Sequence, residues 1–113
     1  MDNQKIIEQI KRLAEKTKEK KVPWVFQNPN LFRWTKVEGT KTYITTLQAP
    51  PISPNKNYFL TIQTNNPPQV ILQINSLVQP IFKNCLEDLY IEVSSISEDT
   101  TAETMSKLLD SLN

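Results

Sequence analysis

Histidine is absent from this chain of 113 residues, glycine occurs once, at Gly39, and cysteine once, at Cys85. Each shortage removes a class of chemistry. Without histidine there can be no Ser-His-Asp or Cys-His relay, no paired-histidine zinc motif and no imidazole general base. With one glycine neither a P-loop nor a dinucleotide fingerprint can be assembled, because both need several glycines to bring backbone N–H groups close to phosphate. A single cysteine permits no intrachain disulfide and points to a reducing, cytoplasmic setting. No apolar run approaches the roughly 18 residues of a membrane span. The opening MDNQKIIEQIKRLAEK is acidic and amide-rich and then amphipathic, where a signal peptide would be basic and then solidly apolar. Only carboxylate or tyrosine chemistry is left to an enzyme, so the expectation is a non-enzyme without cofactor or metal, and without a membrane partner.

What remains is ordinary in amount. Hydrophobic residues make up 38% and charged residues 22% of the chain, which suits one core and is too short for two, so residues 1–113 are expected to form a single domain. The charge is unevenly placed. Residues 1–41 hold ten Lys/Arg against five Asp/Glu, a balance of +5, while residues 83–113 hold two against seven, a balance of −5. Such asymmetry suits a nucleic-acid-facing end or a dipolar interaction surface, or two ends that pack together and complement one another.

Periodicity sets out the elements. Ile6, Ile7, Ile10, Leu13 and Ala14 recur at helical spacing within 3–19, with Asp2 or Asn3 as N-cap and lysines near the far end. Pro23 stops that helix. From Val22 to Asn75 the period changes to two, predicting strands at 22–27, 31–38, 41–48, 57–64 and 69–75. The punctuation is NPN, EGT, the proline-rich APPISPNK and NNPP. Tyr58, Leu60 and Ile62 share one face, as do Val70, Leu72 and Ile74, with Phe59 and Ile71 interrupting the polar one. Beyond Pro80, Phe82, Cys85, Leu86, Leu89, Tyr90, Val93 and Ile96 predict a helix. A second helix is predicted from a Thr100 or Thr101 cap, with Met105, Leu108, Leu109 and Leu112 on one side. The expected architecture is α+β: an N-terminal helix, an antiparallel β-meander of four or five strands and two C-terminal helices on one sheet face.

The chain resembles a group of small bacterial proteins that have a leading amphipathic helix, "KT" and a "W" before a β-meander, an "L..LY" helix and a leucine-rich ending. The matching residues include Lys16, Thr17, Trp24, Tyr58, Leu60, Leu86, Leu89, Tyr90, Leu108 and Leu112, spread over nearly the whole chain, which departs from the pattern in its proline-rich loop. The resemblance implies this order of elements and a bacterial or phage origin, and carries no catalytic signature.

One stretch, VPWVFQNPNLFRWT, holds four of the nine aromatic residues. If NPN forms a three-residue loop, Phe26 opposes Phe32 and Trp24 opposes Trp34, and all four rings share a face; a two-residue loop would split them. Aromatic pairs on one face predict core, with Phe26 and Phe32 buried and Trp24 and Trp34 at its margin. The competing reading is a recognition surface of Trp24, Arg33, Trp34 and Lys36, joined by Pro50, Pro51, Ile52 and Pro54 of the stiff loop. Lys16, Lys18, Lys20 and Lys21 form the candidate basic patch, interrupted by glutamates. Cys85 reads as a buried structural thiol, and Glu87, Asp88 and Glu92 as a solvated acidic face, since only two of them stand four apart and no glycine-turned loop accompanies them. The leading expectation is a small protein-interaction module, such as a regulatory partner, adaptor or immunity-type protein, binding another protein or a second copy of itself. The alternative is a nucleic-acid-binding domain using the basic N-terminal third, opposed by a pI near 7.8.

Overall fold

Helix α1 (Asn3–Lys18) buries Ile7, Ile10, Ala14 and Thr17 along one side and starts at Asp2, whose carboxylate accepts from the Gln4 N–H at 3.0 Å. The computed structural model describes residues 2–28, 30–49, 57–65 and 67–112. The helix ends in a reciprocal pair of backbone bonds, Lys21 N–H to the Lys16 carbonyl and Lys20 N–H to that of Thr17. This closure requires a left-handed residue, and Lys20 supplies it at φ 62° where glycine is the usual occupant.

Five strands follow: β1 (Val25–Asn28), β2 (Leu31–Glu38), β3 (Lys41–Gln48), β4 (Phe59–Asn65) and β5 (Gln69–Asn75). They pair antiparallel in chain order, as a meander. The β2–β3 hairpin turns on two residues, with Gly39 at φ +63° in the first central position. Pro23 delays β1 to Val25. Phe26 pairs with Phe32 as expected, but not through a three-residue NPN loop. Asn28 belongs to β1 and pairs with Leu31, so the connection is the two residues 29–30, and a bulge at Gln27 restores the parity that a two-residue loop alone would have split. Phe32, Leu47, Leu60 and Ile74 are cross-strand partners in successive strands and form a row, each no more than 2% exposed.

Strand β5 departs from simple alternation. A bulge places Ile62 opposite Leu72 but Gln63 opposite Val70, leaving Ile71 as the extra residue. Val70 therefore does not share a face with Leu72 and Ile74; it lies on the open face, while Ile71 borders α1 beside Ile6 and Leu72. A one-residue bulge inverts the parity of everything before it, which strict period-two reading cannot anticipate.

After a short 3-10 turn at Pro80–Phe82, one helix, α2 (Lys83–Asp110), runs for 28 residues. This corrects the expectation of two C-terminal helices. The segment 83–110 has neither proline nor glycine, and Thr101 and Thr104 donate to the carbonyls of Ser97 and Thr100, both at 2.9 Å. These hydroxyls are satisfied inside the helix, so no residue has to leave helical geometry to cap a new one. Leu86, Leu89 and Val93 cover the Phe32 row, and α1 packs beside α2 over Leu60 and Ile74 in the same core. Among the described residues no helix is long and apolar enough to cross a membrane.

The foot of the β3–β4 connection is tied to the end of β5. The Tyr58 N–H donates to Ser76 Oγ at 2.8 Å, Ser76 Oγ donates to Asn57 Oδ1 at 3.1 Å, and Asn57 Oδ1 also accepts from the Leu77 N–H. Two substitutions probe these local devices. Lys20→Gly relieves the left-handed backbone and is expected to stabilise the fold by roughly 0.5–1 kcal/mol after the larger unfolded-state entropy of glycine is offset. Ser76→Ala leaves the buried Tyr58 N–H without its acceptor and is expected to cost about 1–3 kcal/mol. Urea denaturation of both variants reads the two signs directly.

Candidate functional site

The four rings of the Val22–Thr35 stretch all face the helices. Phe26 and Phe32 lie 5.4 Å apart, and Trp24 and Trp34 meet edge to face at 6.4 Å. Phe32 continues into α2 through Tyr90 at 6.0 Å, and Tyr90 into Tyr58 at 5.4 Å. Trp24 is fixed from its polar end as well: its indole N–H donates to Thr17 Oγ1 at 3.0 Å, and that hydroxyl, fully buried, donates to the Leu13 carbonyl at 2.8 Å. Thr17 and Trp24 thus join the end of α1 to the start of the sheet. The Trp34 indole N–H is buried without a hydrogen-bond partner among the described residues.

Phe26 differs from expectation. Phe32 is 2% exposed, but Phe26 is 51% exposed. The cause is its place on the edge strand, with a paired strand on one side only, under a stretch of α2 whose Ser94, Ser97 and Thr101, interspersed with Ile96 and Met105, leave the ring partly uncovered. An open groove of about 510 Å³ is left between the sheet and α2, with Trp24, Phe26 and Phe32 on one wall and Ile96, Met105 and Leu108 on the other. A lobe of about 500 Å³ continues it past Tyr90 and Ala102. Apart from Glu98, its lining is aromatic, aliphatic or hydroxyl-bearing, so it is built to take apolar side chains.

Met105, Leu108, Leu109 and Leu112 form a helical stripe, as expected, but it is 58 to 76% exposed. No residue of α2 beyond Ser97 is even half-buried. An α-helix of 28 residues is about 42 Å long, whereas five strands span about 19 Å from first to last and eight-residue strands about 27 Å, so α2 outruns the sheet it covers. That mismatch of lengths was readable, once the two predicted helices are joined.

The other sequence candidates are dispersed. Arg33 pairs with Val25 and Thr46 on the open face, opposite to Trp34, while Lys36 lies exposed on the helix side across from Tyr43. The combination of Trp24, Trp34, Arg33 and Lys36 is therefore not one surface, because adjacent strand positions alternate faces. Pro50, Pro51, Ile52 and Pro54 lie outside the described residues. Lys16 and Lys18 end α1, and Lys20 and Lys21 form its closing turn. Lys18 and Lys11 line a cleft against Asp88 and Glu92 of α2, so part of the charge asymmetry is complemented where the two helices pack. Among the described residues no three His, Cys, Asp or Glu side chains converge as a metal site. No protein-family model, curated protein or solved structure matches the chain.

Two buried acids have shifted titrations. Burial pushes the Cys85 thiol above its ordinary 9.0, and Cys85 Sγ donates to the Phe82 carbonyl at 3.2 Å. Burial also raises Tyr58 above 10.0, helped by the nearby Glu87 and Tyr90. Both groups bind their proton more tightly folded than unfolded, so their contribution to stability is complete below pH 9 and is lost as pH rises through and beyond 9 and 10. Denaturation midpoints are expected to hold steady from pH 7 to 8 and fall above pH 9, with Cys85→Ala flattening the first part of the fall.

Proposed function

We propose that this chain is a non-enzymatic protein-interaction module, a regulatory partner, adaptor or immunity-type protein, whose binding site is the groove between the aromatic ladder and the overhanging half of α2. The observation that carries the reading is the half-exposed Phe26 facing an exposed Met105 and Leu108 across an unfilled apolar space. Exposed apolar patches rimmed by polar residues mark interaction sites. Rings and a methionine suit the purpose, since aromatic anchors contribute much area at small entropic cost and thioethers adapt to the side chains they meet. The partner element that fits is an amphipathic helix, whose apolar side chains enter as spaced anchors.

Capture on the immobilised chain tests this, with native-host extract and the untagged chain itself as the two sources. Phe26→Asp and Met105→Asp are each expected to reduce capture at least about tenfold, as desolvated anchor positions do. Val70→Asp, on the open sheet face, is expected to leave it unchanged. Capture insensitive to both groove substitutions overturns the reading. A mobility shift of nucleic acid at low salt that disappears on reversing Lys18 and Lys20 replaces it with nucleic-acid binding by the basic N-terminal third.

A further inference from the structure

We propose that the occupant of the groove is the overhanging half of α2 from a second copy of this chain, the two copies exchanging helix ends about a twofold axis. The inference rests on the groove being a protein-binding site and names what binds there.

Three features of the chain fit this occupant. The first is a stripe longer than the surface its own chain offers. Met105, Leu108, Leu109 and Leu112 follow the i, i+3, i+4, i+7 spacing of one helix face, yet only Met105 and Leu108 border the groove. Leu109 and Leu112 are 58% and 76% exposed among the described residues. Two such helix ends lying antiparallel would bring each copy's Leu109 and Leu112 to the other's groove.

The second is area. Phe26 and the four stripe residues together expose on the order of 600 Å² of mostly apolar side chain, so a reciprocal pair would cover on the order of 1,200 Å², the lower bound of specific interfaces. Because both surfaces lie on one chain, twofold exchange uses each of them twice and closes, leaving no unsatisfied copy to extend into a fibre.

The third is charge. Residues 98–110 carry four acids against Lys107, a balance of −3, while residues 16–21 carry four lysines against Glu19, a balance of +3. The lysine turn lies at the Trp24 end of the groove, because the Trp24 indole is bonded to Thr17 within that same segment. Among the described residues the one ion pair within 4 Å is the local contact of Lys21 with Glu19, and Lys18 also borders the α1–α2 cleft, so the lysine turn and the acidic helix end form no ion pair with each other. A partner's acidic helix end entering from that side meets the lysines with opposite sign, which favours the encounter and its orientation.

Sedimentation of the full chain from micromolar to submillimolar concentration tests the proposal. The mass is expected to rise from 13.1 kDa towards twice that value. Leu112→Asp on the helix side and Phe26→Asp on the groove side should each weaken self-association at least about tenfold. Both positions are exposed in the monomer, and circular dichroism checks that the fold is kept. Mixing the two variants is the discriminating experiment: a mixed pair has one doubly damaged site and one wholly intact site. Because two substitutions that abolish the same contact cost less together than the sum of their separate costs, the mixture is expected to associate more tightly than either variant alone. A monomer at every concentration, or a dimer unaffected by both substitutions, overturns the proposal. If a monomeric chain still captures a host protein through Phe26, the second-copy occupant fails while the interaction module stands; a monomer without groove-dependent capture ends both.

Discussion

The row formed by Phe32, Leu47, Leu60 and Ile74 is the constraint on which the rest of the molecule depends. Adjacent across four strands and all but removed from solvent, these side chains each contribute about 1.5–3 kcal/mol of burial once something covers them. The cover is Leu86, Leu89 and Val93 of α2, with Ile7 and Ile10 of α1 alongside. Register follows from the same row. A slip of one residue in any strand would turn its member to the open face, so the pairing of the strands and the seating of α2 are specified together.

From that seating the groove is a geometric consequence. The buried side of α2 ends at Val93, beside Phe32 of β2, and the helix continues because nothing in its sequence breaks it. Beyond that point it passes over β1, the shortest strand and the edge of the sheet. With Phe26 lacking a neighbour on its outer side, and hydroxyl-bearing residues interspersed among Ile96, Met105 and Leu108 across from it, an opening remains instead of a closed core.

The charge asymmetry divides along the same line. Where α1 and α2 lie side by side, Lys11 and Lys18, with Glu15 between them, line a cleft shared with Asp88 and Glu92, and opposite signs on its two walls favour the packing. The remaining charge is held at the chain's open end, lysines in the turn after α1 and acids on the protruding helix. A fold that spends only part of its complementarity internally presents the remainder to whatever approaches the groove.

Composition and periodicity alone determined a good deal. The absence of histidine, the single glycine, the meander of five strands and the bounds of β2 and β3 are all readable along the chain, because period two, turn residues and missing residue types are local properties. The pairing of Phe26 with Phe32 was expected from counting across NPN, but it is reached through a bulge at Gln27 and a two-residue connection, which the count did not contain. The tertiary structure decided what depends on neighbours distant in sequence. Phe26 and Phe32 have the same residue type and face, yet one is exposed and the other buried, because a strand's position in the sheet is set by pairing partners that its own residues do not name. Likewise Val70 and Ile71 change sides through a bulge, and Met105, Leu108 and Leu112 stand in solvent because the sheet beneath α2 is narrower than the helix is long. Local pattern says which residues require cover; only the assembled layers show which of them receive it.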